Sequence, residues 1–534
     1  MRHRNASCSF SAGRSGPTRE TPMPFRKVLV QTCAFALLAS SMVAIAPANA
    51  GQKDDTIRFA YEQVPESVDP FFNNVRVGVI MGQLVWDTLI YRDPNTNEYK
   101  GQLAKEWKWA DDTTLDLTLR EGIKFHNGEE FDADDVVYTL NFVAKPDNKV
   151  VTQTNVHWIA GAEKLGKYQV RVKLKQPFPA AIEYLAGPVV IHPNEYYAKV
   201  GPQGMNQKPV GTGPYRVVEQ VQGKSIKLVA NPDYPKELQK SVPKIKNLEI
   251  RFLPDRQTQN SEIMAENLDF IMGVQADQAL ALKSVPHLQS VEGETMRIVF
   301  LNLNTREDSP FPAMRDIRVR KAIAHAMPKV QMVRQLLGEK ARLINVVCFP
   351  SQFGCDDTGA PIYAYDPNKA RDLLKEAGFG PNNKLEFDIV SYRERDQTEA
   401  MIGALRAVGI TANLKFMQYA AIREQIRANK VAVSHQTWGS FSVNDASAST
   451  PNFFKFGADD MARDPEIRDI LEKADTSVDP AARKEAYRKA LTLIQERVLA
   501  VPLYSLTTQY VANKALRFNT YPDEIPRFWE MSWK

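Results

Sequence analysis

Residues 103–143, LAKEWKWADDTTLDLTLREGIKFHNGEEFDADDVVYTLNFV, carry the most ordered pattern in the 534-residue chain. Leu115, Leu117 and Leu119 alternate with Thr114, Asp116 and Thr118, which predicts a strand with one apolar face. Arg120-Glu121-Gly122 interrupts the run, and Ile123, Phe125 and a turn at Asn127-Gly128 resume it. Asp132 then stands as a helix N-cap, with Asp134 and Asp135 in the first turn, where the helix dipole favours carboxylates. Val136, Val137, Leu140 and Val143 give that helix a buried stripe. The pattern predicts a hairpin running into a capped helix, and it names no function.

The wording of the stretch is more specific than its periodicity. It resembles the signature of the family 5 solute-binding proteins, the extracytoplasmic receptors of peptide, nickel and opine ABC importers. The matching positions are Leu103, Ala104, Trp107, Leu119, Arg120, Gly122, Phe125, His126, Gly128, Phe131, Asp135, Val136, Val137 and Tyr138. Further matches follow at Val68-Asp69-Pro70, at the GTGPY turn of residues 211–215, at Asn231-Pro232-Asp233-Tyr234 and at the helix opening of residues 316–323. The resemblance implies an α/β, two-lobed periplasmic binding protein of type II, with an extra subdomain in the first lobe and two hinge crossovers. Lobe I would take residues 51–298 and 503–534, including an insertion over about 91–205, and lobe II residues 299–502. The crossings would lie near residues 296–304 and 496–504.

Composition sets the compartment and excludes some partners. Of 68 Lys and Arg, six fall in residues 1–50 beside a single acid, Glu20, so the remainder carries 62 residues of each sign. A neutral body gives no reason to expect nucleic acid. Residues 23–50 read as a signal peptide: Arg26 and Lys27, an apolar run over 33–46, and Ala48-Asn49-Ala50 before Gly51. The run is short for a membrane span of about 20 residues. Residues 1–22 are polar and unlike a leader, and Met23 is read as the initiator. No cysteine follows the cleavage site, so a periplasmic protein without a lipid anchor is expected. Cys348 and Cys355 remain in the mature chain, in the loop CFPSQFGC. A local disulfide is the favoured reading in an oxidising compartment, with free thiols and a metal site as alternatives.

The chain holds no GxSxG elbow, Walker A loop or HExxH helix. The glycines of the GTGPY turn lack a third glycine and a following helix, and Pro214 removes a donor that phosphate would need, so a structural turn is expected. His126 sits on a tight turn without a second histidine on its face and is read as structural. The reading is therefore a binding protein, not an enzyme, with no cofactor and no metal.

The candidate ligand-binding segment is residues 435–454, HQTWGSFSVNDASASTPNFF, an aromatic anchor among small residues. Its bland alternative is a surface loop with Trp438 in the core. Trp438 matches the family's tryptophan. In the family's peptide receptors an aspartate a few residues later pairs with the peptide's α-ammonium. That position falls near Ser440 or Phe441, where no acid stands, and Asp445 is the nearest carboxylate. Either Asp445 takes the amine, or the solute is not an ordinary peptide with a free N-terminus. Tyr61 and Glu62, after the first strand, and Tyr504, beside the return crossing, are further ligand-binding candidates. The resemblance implies a small peptide or peptide-like solute as ligand, with opines, modified amino acids and metal chelates as alternatives. It implies permease and ATPase subunits as partners, and a monomer.

Overall fold

Two strands, Leu288–Leu303 and Ala500–Asn513, are long enough to run through both lobes. Sixteen residues of extended chain span about 50 Å. The two pair antiparallel at the centre of a ten-stranded sheet in the computed structural model, which describes residues 51–534 apart from Asn74, Ala458 and the side chain of Phe441. The leader read over residues 1–50 lies outside the described residues.

On one side of the long pair the sheet continues through Phe270–Val274, Thr56–Tyr61, Asn247–Phe252, Ser225–Ala230 and Tyr215–Val221. On the other it continues through Val433–Trp438, Leu385–Ser391 and Ile410–Phe416. Leu385–Ser391 pairs parallel with both neighbours, and the helices Arg395–Ala407 and Tyr419–Arg427 make the crossovers that parallel pairing requires. Each half of the sheet has its own apolar core. The first gathers Phe59, Leu84, Leu117, Ile250 and, from the C-terminal segment, Phe528 and Trp529. The second half is covered by two clusters, one around Val299, Ile323 and Ile389, the other around Phe300, Leu471 and Leu491. Among the described residues, no helix is long and apolar enough to cross a membrane.

The signature stretch builds a separate four-stranded antiparallel sheet in the first lobe, with Ala104–Asp111, Thr114–Leu119, Gln169–Leu174 and Ile159–Gly166 in that order. Leu115, Leu117 and Leu119 are buried, as their alternation predicts. Asp132 caps the helix Ala133–Ala144 in a capping box with Asp135. Three Asp-Pro pairs, at Asp366, Asp464 and Asp479, likewise open helices with the carboxylate on a first-turn N–H.

Two elements differ from the sequence reading. The sequence from Val75 to Leu89 reads as one helix, but the helix is Arg76–Val85 and stops early because Trp86 turns extended, its N–H returning to Gly82 O. The strand expected at residues 296–304 begins eight residues sooner, at Leu288. Cys348 and Cys355, whose state the sequence left open, are joined in a disulfide.

The early helix end releases Asp87 into a buried hub. Its carboxylate accepts from Gln102 Nε2 at 2.8 Å, Tyr234 OH at 3.1 Å and Thr212 Oγ1 at 3.1 Å, and pairs with Lys240 Nζ at 3.0 Å. Lys240 has no side-chain exposure and also donates to the carbonyls of Gln83 and Trp86. Burial pulls its pKa down against the opposing pull of Asp87. Thr212 belongs to the GTGPY turn and Tyr234 to the Asn-Pro-Asp-Tyr motif, so both motifs answer to one carboxylate. Their glycines have a packing reason: a Cβ on Gly211 would stand 2.1 Å from Val85 O, and one on Gly213 2.5 Å from Leu84 O. We expect Asp87→Ala, which strands the Lys240 ammonium, to cost about 3–5 kcal/mol in urea denaturation.

His126 ties the signature turn to the same GTGPY turn. Its Nε2–H donates to Gly213 O at 2.9 Å, and its Nδ1 accepts from Gly211 N–H at 3.4 Å, the neutral tautomer. Burial depresses its pKa to about 4. The unfolded chain, with an ordinary value near 6.5, takes up the proton first. The contribution of His126 is therefore full above about pH 6.5 and fades as pH falls toward 4. The stability gap between the natural protein and His126→Gln should narrow by at least about 1 kcal/mol between pH 7 and pH 4.5 in parallel denaturation curves.

Candidate functional site

Two adjoining cavities, about 430 and 400 Å³, open between the lobes. The first lobe supplies Val75, Arg76, Val79 and Thr154, from the first helix and the insertion. The second supplies Tyr392, Tyr419, Arg423 and the end of the strand Val433–Trp438 with the loop after it. Arg297 comes from the long strand between them. Thr154, Arg423, Trp438, Ser440 and Asn452 line both cavities and make them one space.

Trp438 forms a wall of that space. Its indole N–H donates to Ala448 O at 3.0 Å and its ring meets Phe453 edge-on, which fixes one face in the protein. From the same lobe come Tyr392 and Tyr419, ring centroids 4.7 Å apart. Tyr392 OH is held by Thr437 at 3.0 Å. Tyr419 OH donates to Asp459 at 2.8 Å, and Arg423 Nε reaches the other oxygen of the same carboxylate at 3.0 Å. Burial, then Asp459, holds the Tyr419 phenol above its ordinary range, so it stays a neutral donor.

Toward the long strands, Glu524 receives Arg76 at 2.9 Å and Arg297 at 3.6 Å. Burial alone would raise the Glu524 carboxyl, but Arg297, Arg76 and Arg393 together hold it below the usual range, so it is ionised. Arg76 also donates to Ser442 Oγ and to Asp523 O, bridging from the first lobe to the loop of the second.

That loop, residues 439–445, docks on the first lobe by main-chain groups as well as by the Ser442 hydroxyl. Asn444 N–H donates to Glu183 Oε1 at 2.6 Å, Ser442 O accepts from Arg92 at 3.3 Å, and Val443 is buried in the first lobe's core. Glu183 is buried and also holds Tyr99 OH at 2.9 Å and Arg92 Nε at 3.1 Å. Burial raises its pKa, with Arg92 and these hydrogen bonds opposing.

The residues proposed from sequence separate here. Trp438 and Ser440 line the cavity. Phe441 follows in the same short 3₁₀ turn, and its side chain is outside the described structure. Four of the expected residues lie outside both linings. Asp445 lines neither cavity: Arg483 engages both its oxygens at 2.8 Å, and it caps Ser447 N–H. Tyr504 lies in the core of the second lobe, its OH on Gln397 at 3.0 Å. Glu62 lines neither of the two cavities and pairs with Arg256 at 2.9 Å. Tyr61 is buried at its strand end against Phe59, outside both linings. Arg76, Arg297, Arg423, Tyr392 and Tyr419 were missed. They come from four distant segments, and none stands in a local motif.

The comparisons with known proteins agree with this geometry. The family described as bacterial extracellular solute-binding proteins, family 5 (middle), matches residues 98–460. The chain belongs to that family. Di/tripeptide-binding protein 2 of Pseudomonas aeruginosa is 25% identical over 503 residues, covering 88% of this chain and 92% of the relative. A glutathione-binding protein of Salmonella paratyphi A is 28% identical over 321 residues, 59% of each chain. Among solved structures, a dipeptide-binding protein of a Pseudoalteromonas species with Met-Leu superposes with a TM-score of 0.75 at 21% identity, covering 90% of this chain and 100% of that one. The Campylobacter jejuni protein NikZ with Ni(L-His) gives 0.76 at 23%, covering 90% and 99%. At these identities the structures share the two-lobed fold.

Glu183→Ala leaves the Asn444 N–H without its acceptor and should weaken loop docking by about 1–3 kcal/mol. X-ray scattering of the solute-free protein should then give a larger radius of gyration than the natural chain.

Proposed function

We propose that this chain is the substrate-binding component of an ABC importer, working in the periplasm without a lipid anchor. It captures a small peptide or peptide-like solute between its lobes and delivers it to the permease, which ATPase subunits power. The observation that carries the reading is the walled cavity between two lobes that the long strands join and a docking loop bridges. The relatives' di/tripeptide and glutathione names support the solute class. The lobes are taken as residues 51–298 with 503–534 and 299–502, the strand residues Leu503, Tyr504 and Leu506 at the boundary still packing in the second lobe's core. The hinge is placed where the long ladder is interrupted, between Glu294 and Ile298. Such a hinge lets the lobes close on a solute, which stabilises the closed form by its differential affinity.

A receptor for a non-peptide solute is the second reading, favoured by the cavity's missing amine-binding carboxylate. A catalytic role has no support, since no nucleophile–base pair lines the cavity among the described residues. The protein is expected to act as a monomer.

Native mass spectrometry of protein purified from periplasm tests the reading. A small molecule released on denaturation is expected. Adding it back at 100 times its dissociation constant should raise stability by about 2.7 kcal/mol and shrink the radius of gyration. Chemical turnover of that molecule, or binding without closure, would refute the receptor role.

A further inference from the structure

Three arginines, Arg76, Arg297 and Arg423, line the space between the lobes, and no aspartate or glutamate does so among the described residues. The two carboxylates that approach these arginines are already engaged. Glu524 uses one oxygen, Oε2, for both Arg76 and Arg297. Asp459 takes Arg423 on one oxygen and Tyr419 OH with Asn452 Nδ2 on the other. Three guanidiniums therefore stand against two carboxylates, and Arg393 adds a fourth positive field at the hinge side. The hinge-side cleft behind Arg297 holds Glu394 and Glu524, but also Arg256 and Arg393.

Unused donors point the same way. Arg423 commits only its Nε, so among the described residues its two terminal nitrogens have no hydrogen-bond partner. Gly439 lies against Arg297, whose Nη2 would be 2.9 Å from a Cβ there, so the guanidinium packs on the floor of the loop that carries Ser440. A guanidinium fork in a partly desolvated space is matched by a carboxylate and repels an ammonium. The apolar walls, Val75 and Val79 on one side and Trp438 with the tyrosine pair on the other, fit an amphipathic body.

We infer that the solute is an organic anion, bearing a carboxylate and lacking a free ammonium, such as an N-acylated peptide or a related polycarboxylate. The inference rests on the receptor reading above. Arg423 and Arg297 take the carboxylate, Trp438 and Tyr392 flank the body, and the lining around Ser440 offers an amine no carboxylate.

The solute released from protein purified from periplasm is the first test. It should bind an anion exchanger at pH 7 and fail to react with an amine-labelling reagent. The second is calorimetry of the mature chain, stripped of solute, against a free dipeptide pool and the same pool N-acetylated. The acetylated pool should bind at least tenfold tighter, Arg423→Gln should remove most of that preference, and Ser440→Asp should reverse it. Asp tolerates the positive φ of 52° at this position, and it returns an acid to the cavity wall. Arg423 is one-third exposed, so its replacement should leave the fold intact. A released solute that reacts as an amine, or a free pool that binds as tightly as the acetylated one, overturns the inference and leaves the receptor reading standing. No released solute and no binding of either pool overturns both.

Discussion

The antiparallel ladder between Leu288–Leu303 and Ala500–Asn513 is the constraint on which the rest of the molecule depends. Residues 288–294 pair with residues 513–507 inside the first lobe's half of the sheet, and residues 298–302 pair with residues 505–500 inside the second. Between these runs the hydrogen bonds leave the ladder. Thr295 Oγ1 donates to Leu506 O at 2.7 Å, and Met296 N–H goes to Pro522 O at 2.8 Å. The backbone stays satisfied there without the stiffness of a regular ladder. Arg297 follows at once, and Glu524 comes from the segment that Met296 anchors. The cavity's charges are thus mounted on the joint itself.

The sequence made the local elements readable and left the long-range ones hidden. Leu115, Leu117 and Leu119 announce a strand, and Asp132 and the Asp-Pro pairs announce helix starts, because strand faces and caps are set within a few residues. The polar half of the long strand, LQSVEGET, has no such pattern, because its neighbours Gln509, Thr508 and Thr507 are themselves polar. The first helix looked longer than it is because Leu89 continues its apolar period. What ends it is a carboxylate needed by Gln102, Thr212, Tyr234 and Lys240, all far along the chain.

The candidate site divides the same way. Trp438 was legible from its loop's wording, and Ser440 from the position of a missing acid. Asp445 was misread because its partner, Arg483, lies on a helix 38 residues later, and a buried bidentate pair leaves no trace in spacing. Tyr504 neighbours the crossing in sequence, yet a strand turns alternate side chains to opposite faces, and its own face is the core. The arginines could not be foreseen at all. Each is an ordinary surface residue by its local context and acquires meaning only when the lobes meet.

The loop that closes the cavity is gripped by residues after Ser440: the N–H of Asn444, the carbonyl and hydroxyl of Ser442, and the small apolar body of Val443. None of these groups belongs to Ser440. Ser440, which faces the cavity, can therefore be exchanged over evolutionary time while the closing contact persists. Selectivity and mechanics are inherited separately in this architecture. A lineage of such receptors can drift from one nutrient to another through a few neutral steps, without passing through a form that no longer shuts.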